Sequence, residues 1–170
     1  INDFAVSVAR TALWIAESQM MNETKNIIQI ADDVLPLKNF NNIIEANALT
    51  FDWTTLVKSD ELNFIMGNPP FIGQSVRTKE QSDEMALIWG EGEIETKLDY
   101  VTCWYKKAVD FMKDTKIKAA FVSTNSICQG ESVSILWKFL MGKGIEIFFA
   151  YRSFIWSSEA KEKAHVHCVI

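Results

Sequence analysis

The alternation of short apolar runs with helical periodicity constrains the fold of this chain more than any other feature. Apolar runs of strand length occur at residues 62–67, 118–123, 145–150 and 164–170. Apolar residues at three- and four-residue steps predict helices at 100–112 and 133–141, with a further helix near the start of the chain. Strands that alternate with helices are typical of a mostly parallel sheet covered on both faces. We therefore expect a three-layer α/β fold.

Three other segments carry weaker structural signals. The first helix has apolar residues at a spacing that predicts one face packed on a core, namely Phe4, Val8, Ala12, Ile15 and Ala16. Asp3 stands where it would cap the start of this helix. Residues 42–49 predict a short strand that runs into a loop. Residues 78–95 are polar and acidic with little period, so we interpret them as a long loop or broken helix covering a site.

Length, composition and charge limit the class of protein. A chain of 170 residues with 48% hydrophobic residues can bury the core of one domain. No apolar run approaches the roughly 20 residues of a membrane span. The odd number and wide spacing of Cys103, Cys128 and Cys168 argue against a disulfide framework and agree with a reducing, cytoplasmic setting. The net charge of -5 is unfavourable for gripping a polyanion, so a DNA substrate would need basic surface elsewhere.

The loop Asn68-Pro69-Pro70-Phe71 ends the apolar run at 62–67, because a proline cannot continue a central ladder. Ligands of doubly wound sheets bind beyond the carboxyl ends of the strands, so chemistry is expected here. The Asn68 side-chain oxygen and the Pro69 carbonyl would accept the two hydrogens of an exocyclic amine. Phe71 would stack on the base that carries this amine. The alternative interpretation is an ordinary turn that terminates a strand.

This tetrapeptide resembles the Asn/Asp-Pro-Pro-aromatic signature of the adenine-specific DNA methyltransferases of the amino-methylating class. Residues 121–126 and 148–170 are similar to segments of bifunctional restriction-modification enzymes with fused methylase and nuclease activities. The resemblance implies a Rossmann-like methyltransferase fold and methyl transfer from S-adenosyl-L-methionine to the exocyclic amine of adenine. It also implies double-stranded DNA with a flipped adenine as partner, in a restriction-modification or phage-defence system.

The resemblance further implies a set of cofactor-binding residues, which are Ile1, Asn47, Ala48, Asn68 and Asp99. Residues 1–13 resemble the segment after the family's second cofactor-binding strand, and residues 47–49 its third cofactor motif. Residues 98–101 resemble the segment that lines the cofactor pocket after the catalytic loop. Asn47 departs from the Asp that is common at its position, which changes the donor and acceptor pattern offered to the cofactor adenine.

The ends of the chain lead us to expect a catalytic methyltransferase domain fragment, residues 1–170, truncated at both termini. Ile1 directly precedes a helical segment, and Ile170 ends a strand-like apolar run. The glycine-rich first cofactor motif and the acidic ribose-binding residue would lie upstream of Ile1. A target recognition domain, and a nuclease domain in the same polypeptide, would also lie outside these residues. We expect the isolated fragment to be inactive.

Two other functions stay open at this point. The same tetrapeptide suits a protein glutamine side chain or an RNA base, and the domain is also compatible with a noncatalytic scaffold that binds DNA or partner subunits. A metal site is not expected. Strand alternation places His165 and His167 on one face and Cys168 on the other, with no matching ligand pair elsewhere in the sequence.

Overall fold

The structure of the chain is a computed structural model that describes residues 3–25, 27, 42–92, 97–156 and 166–170. The chain divides into two compact units, Ile1–Asp52 and Trp53–Ile170. Ile1, predicted to bind the cofactor, and His165, predicted to lie in a strand, are outside the described residues.

The first unit contains helix α1, Asp3–Lys25, which confirms the predicted helix. Asp3 lies in its first turn, where the helix dipole favours a carboxylate. The predicted packing of the apolar stripe on a core is wrong. Phe4 is 76% exposed and Ile15 is 54% exposed, and the other members Val8, Ala12 and Ala16 are exposed as well. Helical spacing determines which side chains share a face, but it does not determine whether another element covers that face.

Residues 42–50 form an irregular segment and a turn, so the strand predicted at 42–49 is wrong. The Leu49 amide donates to Oδ1 of Asn47 at 2.9 Å, and the Phe51 amide donates to the Asn47 carbonyl at 2.9 Å. An Asn side chain that bonds to the backbone two residues on turns the chain away from an extended ladder. The Arg10 guanidinium donates to the Ile43 carbonyl at 3.1 Å and attaches this segment to α1.

Two small sheets are present in the described part of the second unit. In the first, β1 (Phe64–Gly67) pairs in parallel with β2 (Lys118–Phe121). The second has the order β3-β5-β4 with antiparallel pairings, its strands being β3 (Ser123–Thr124), β4 (Phe154–Trp156) and β5 (Val166–Val169). The strands predicted near 62–67, 118–123 and 164–170 are confirmed, as is parallel pairing for β1 and β2.

The antiparallel direction of β5 departs from the expected mostly parallel sheet. Only residues 157–165 separate β4 from β5. A parallel crossover needs a connection of about a dozen residues or more, whereas an antiparallel return can be much shorter. The alternation of strands and helices in the sequence does not reveal this local change of direction.

The longer helices of the second unit are α2 (Lys79–Trp89), α3 (Thr102–Met112) and α4 (Glu131–Gly142). Helices α3 and α4 confirm the helices predicted at 100–112 and 133–141. Helix α2 forms where a long loop or broken helix was predicted. Its start is fixed by a reciprocal cap, in which the Thr78 amide donates to the Gln81 side chain at 2.9 Å and the Gln81 amide donates to the Thr78 hydroxyl at 3.3 Å.

The strand predicted at 145–150 is wrong, because this segment is irregular. Most of its side chains are exposed, including Phe148 at 78%. The Lys118 ammonium lies 4.0 Å from the centroid of the Phe148 ring, a cation–π contact that places the segment near β2. A run of apolar and aromatic residues favours an extended chain, but a strand also requires backbone pairing with a neighbour.

Side chains from the helices pack together in the core of the second unit. Its most buried large side chains are those of Met85, Leu98, Val101, Leu136 and Leu140. Cys103 and Cys168 are buried free thiols and Cys128 is an exposed one. No helix within the described ranges is long and apolar enough to cross a membrane.

Candidate active site

The loop Asn68-Pro69-Pro70-Phe71 begins directly at the carboxyl end of β1. The Val122 amide donates to the Gly67 carbonyl at 3.0 Å, and Gly67 lies opposite Phe121 in the parallel register. The two strands therefore end at one edge, where ligands of parallel sheets bind. Asn68 and Pro70 are exposed, Pro69 is buried and Phe71 is half-buried. The side chain of Asn68 is thus accessible, while Pro69 is packed against the protein.

The ring of Phe121 supports the residue from which this loop starts. A Cβ atom at Gly67 would lie 3.3 Å from Cδ1 and Cε1 of Phe121, so glycine permits the ring to approach the strand backbone. Phe121 is 4% exposed and packs edge to face on Tyr105, with ring centroids 5.2 Å apart. The hydroxyls of Tyr105 and Ser123 share a hydrogen bond of 2.8 Å. One row of contacts thereby joins the end of β1 to β2, α3 and β3.

Tyr100 holds the chain where it leaves the loop. Its amide donates to the Ile72 carbonyl at 3.1 Å, one residue beyond Phe71. Its hydroxyl donates to the carboxylate of Glu84 in α2. Burial is the main cause that raises the pKa of Tyr100, and the Glu84 carboxylate raises it further, so the hydroxyl remains a donor at neutral pH.

Asp99 is brought to the same part of the loop. Its backbone carbonyl accepts hydrogen bonds from the Thr102 amide at 3.0 Å and the Thr102 hydroxyl at 2.7 Å, which fixes it at the start of α3. Oδ1 of Asp99 lies 3.8 Å from the position of a Cβ at Gly73. The structure therefore places the carboxylate of Asp99, a predicted cofactor-binding residue, beside the segment that follows Phe71.

The remaining predicted cofactor-binding residues belong to the first unit. Asn47 and Ala48 are exposed, and the Asn47 side chain accepts the hydrogen bond of the turn described above. Ile1 lies outside the described residues.

Cys103 is a core residue of the second unit. Its sulfur lies 3.0 Å from that of Met85, and burial raises the pKa of Cys103 to about 12. A thiol with such a pKa carries almost no thiolate at neutral pH and is a poor nucleophile. Among the described residues, no group of three or more His, Cys, Asp or Glu side chains is arranged to hold a metal ion.

Sequence reasoning missed Glu84, Phe121 and Ser123 as parts of the site. Phe121 and Ser123 belong to a predicted strand and to a segment similar to restriction-modification enzymes, and no spacing in the sequence connects them to Gly67 or Tyr105. For Glu84 there was a partial signal, because Thr78 and Gln81 have the spacing of a helix cap and predict that Glu84 lies on a helix. The contact of Glu84 with Tyr100 is tertiary and has no sequence signature.

The family of the chain follows from its similarity to known proteins. The family model described as "MmeI, DNA-methyltransferase domain" matches residues 1–170. The chain belongs to this family. The chain is 43% identical over 173 residues to the protein named DNA methyltransferase A of Bacillus subtilis (strain 168), and the match covers 100% of this chain and 20% of that protein.

The chain also resembles a solved structure. It is that of the Type IIL restriction-modification enzyme MmeI in complex with DNA, with a TM-score of 0.90 and 40% sequence identity. The match covers 99% of this chain and 23% of that chain. The chain thus spans less than a quarter of the length of either relative, and it is a DNA-methyltransferase domain of mixed helix and strand structure.

Proposed function

We propose that this domain uses S-adenosyl-L-methionine to methylate the exocyclic amine of adenine in DNA, within a restriction-modification or phage-defence system. The observation that carries the proposal is an exposed Asn68, followed by a buried Pro69, at the carboxyl end of a parallel strand. Membership of a DNA-methyltransferase family supports the reaction class. The loop chemistry supports the choice of an amine as the acceptor.

The chemical task is to make a weak nucleophile attack, because the lone pair of the adenine amine is delocalised into the ring. Oδ1 of Asn68 and the Pro69 carbonyl would each accept one amine hydrogen, which draws the nitrogen toward tetrahedral geometry and increases its negative character. Pro69 and Pro70 restrict the backbone torsions, so the two acceptors are held in place before the reaction. Positioning and electrostatics would supply most of the catalysis.

Phe71 would hold the base after it has left the duplex. Its ring is half-buried, so one part is fixed by the protein and another part is open to a ligand. Stacking of a base on an aromatic ring contributes about 1–3 kcal/mol. This offsets much of the cost of flipping a base, which is roughly a few kcal/mol.

The side chains near the loop fit the charge of the cofactor. The Asp99 carboxylate lies beside the segment that follows Phe71 and would attract a ligand that carries positive groups. S-adenosyl-L-methionine has a sulfonium and an ammonium group, and it supplies an activated methyl group. We assign its binding to Asn68 and Asp99 and, as the family resemblance implies, to Ile1, Asn47 and Ala48.

The partner we propose is double-stranded DNA with a flipped adenine, by extension from the MmeI structure, which contains DNA. The net charge of -5 provides little attraction to phosphates. We therefore assign most of the contacts with DNA phosphates to a target recognition domain elsewhere in the full-length protein. Any nuclease domain would also belong to that polypeptide. In that protein, residues 1–170 would form part of a cytoplasmic catalytic domain with a three-layer, Rossmann-like arrangement.

The test is methylation of plasmid DNA by the full-length protein, with N6-methyladenine measured by nucleoside mass spectrometry. Asn68→Ala should lower the rate by about 100-fold or more, since it removes one of two acceptors. Asn68→Asp keeps an acceptor oxygen and should retain more activity than Asn68→Ala. Asn63→Ala is the matched control, because Asn63 is exposed just before β1 and accepts the Lys118 amide through its backbone carbonyl, which the substitution keeps.

Other results would select the alternatives. Full activity of Asn68→Ala on adenine would show that the loop is not catalytic and would favour the scaffold. Methylation of a protein glutamine or of an RNA base, with none on DNA, would keep the amine chemistry but change the substrate.

A further inference from the structure

We propose that β2 and residues 145–150 form the two edges of a strand-binding slot, and that residues following Ile170 in the full-length polypeptide fill it as an extension of β5. This inference goes beyond the proposed function and does not depend on it. Strand β5 lies between β3 and β4. Because β2 leads directly into β3, and residues 145–150 lead toward β4, the line of β5 continues between the two edges.

The first edge is the side of β2 that faces away from β1. At one end of β2, the Lys118 amide donates to the Asn63 carbonyl at 3.1 Å. At the other end, the Val122 amide donates to the Gly67 carbonyl at 3.0 Å, so both amides point toward β1. Amides along a strand point to alternate sides, so the Ala119 amide points away from β1. Within the described ranges, β1 is the only strand that pairs with β2.

The second edge is the backbone of residues 146–150. These residues make no backbone hydrogen bond within the described part of the chain. Ile147, Phe148 and Phe149 are all more than half exposed. A run of apolar residues with an unpaired backbone is typical of a strand that lacks its neighbour. The Lys118 ammonium lies 4.0 Å from the centroid of the Phe148 ring, which places this edge beside β2.

Ile170 and Tyr151 set the register of the extension on the second edge. The Tyr151 amide donates to the Ile170 carbonyl at 2.8 Å, and the Ile170 amide donates to the Tyr151 carbonyl at 3.4 Å. In an antiparallel ladder, such reciprocal pairs recur at every second residue. The second residue after Ile170 would therefore pair with Phe149, and the fourth with Ile147.

An independent pair sets the register on the first edge. Ser123 lies opposite Val169 in the antiparallel pairing of β3 with β5. Continuing this pairing puts the third residue after Ile170 opposite Ala119, whose amide points into the slot. The odd residues of the extension would thus bond to β2 and the even ones to residues 145–150. The two registers agree on one strand, because no residue has to bond to both edges at once.

The full-length polypeptide is the occupant that reaches the slot most readily. The matches cover 20% and 23% of the two relatives, so a protein of that size has ample chain to supply a strand. Ile170 already lies at the entrance, so the residues after it need no connecting loop. A strand from a second copy would instead lose the translational and rotational freedom of a separate molecule. The filled slot would join the two small sheets into one.

The experiment is hydrogen exchange of the full-length protein, measured at single residues by electron-transfer fragmentation mass spectrometry. The amides of Ile147 and Phe149 should exchange slowly, and so should that of Ala119. The amides of Phe148 and Ala150 would point to the outer edge of the sheet and should exchange about 100-fold faster. Equal rates at the four positions from Ile147 to Ala150 would overturn the inference.

Exchange at two protein concentrations identifies the occupant of the slot. Protection by the same polypeptide does not depend on concentration, whereas protection by a second copy follows mass action. Unchanged protection of Phe149 on dilution is therefore expected. Loss of this protection on dilution would assign the slot to a second copy and overturn the assignment to residues after Ile170.

Proline variants test the same pairing through stability. Phe149→Pro removes an amide that the extension would bind, whereas Phe148→Pro removes one that would point away from it. Each is compared with the alanine variant at its own position, so that loss of the ring cancels. The urea midpoint of the full-length protein should fall from Phe149→Ala to Phe149→Pro and change little from Phe148→Ala to Phe148→Pro. Equal falls at both positions would contradict the proposed register. Neither measurement uses methylation, so failure of the proposed function would leave both results interpretable.

Discussion

The ring of Phe121 lies so close to Gly67 that a Cβ there would be 3.3 Å from two ring carbons, a contact that the ring could relieve only by shifting a few tenths of an ångström. Gly67 is the last residue of β1, and Asn68 follows it. The position of the Asn68 side chain, the proposed catalytic group, therefore depends on packing between the two parallel strands. Tyr105 holds the Phe121 ring, so the ring has little room to move.

Gly67→Ala should reduce both catalysis and stability. The new methyl group must push either the buried Phe121 ring or the backbone of β1, and overpacking of this kind costs about 1–3 kcal/mol. A small shift of Asn68 should lower kcat about tenfold, since misplacement of about 1 Å can cost 10²-fold. We would measure kcat and the urea midpoint of the full-length protein.

The double variant Gly67→Ala with Phe121→Leu provides space for the methyl group and should recover part of kcat. Gly142→Ala is the matched control, because nothing lies within 4 Å of its new Cβ. Wild-type kcat in Gly67→Ala would show that the strand packing does not position Asn68.

Tyr105→Phe should destabilise the protein by about 1 kcal/mol through loss of the hydrogen bond to Ser123. Ser123 is fully buried, so its hydroxyl loses a partner that water does not replace. In a double-mutant cycle with Ser123→Ala, the combined loss should be smaller than the sum of the single losses. The free energy of unfolding in urea is measured for the wild type, the two single variants and the double variant. Strict additivity would show that the Tyr105 and Ser123 hydroxyls, 2.8 Å apart, do not stabilise each other.

Phe71→Ala should raise the KM for DNA by about tenfold or more, because stacking on the flipped base is lost. Phe71→Trp keeps an aromatic surface and should stay closer to the wild type. With 2-aminopurine at the target position, the fluorescence increase that accompanies flipping should be reduced in Phe71→Ala. Phe64→Ala is the control, since Phe64 is 62% exposed and lies at the start of β1, whereas Phe71 lies in the loop after its end. An equal effect of both substitutions would argue against a specific contact with the base.

Local patterns predicted much of the second unit. Strand β1 was predictable because an apolar run is followed by Pro69 and Pro70, which end a ladder through their own covalent structure. Helices α3 and α4 were predictable because their apolar residues recur with the helical period. The placement of Asn68 at a strand end follows from these local rules alone.

The predictions were wrong where pairing or packing with another segment determines the structure. Residues 145–150 have strand-like composition but no strand pairing, and α1 has a helical stripe that remains exposed. The contacts of Gly67 with Phe121 and of Glu84 with Tyr100 join segments that are far apart in sequence. Their spacing follows no period, so only the folded chain reveals them.

The stability of the second unit should decrease above about pH 9, and Cys103 should account for part of the decrease. Burial raises the pKa of Cys103 from 9.0 to about 12, so the folded state keeps a proton that the unfolded chain releases. Stability from this group is complete below about pH 9 and is lost progressively up to about pH 12, because the unfolded state binds fewer protons in that range. The raised pKa values of Tyr100 and Tyr105 act in the same direction at higher pH.

The measurement is the free energy of unfolding in urea between pH 7.5 and 10.5, for the wild type, Cys103→Ala and Cys128→Ala. Cys103→Ala should flatten the decrease, because a group with different proton affinities in the two states has been removed. Cys128→Ala should follow the wild type more closely, since Cys128 is exposed. Parallel curves for the wild type and Cys103→Ala would mean that the Cys103 thiol ionises as readily in the folded protein as in the unfolded chain.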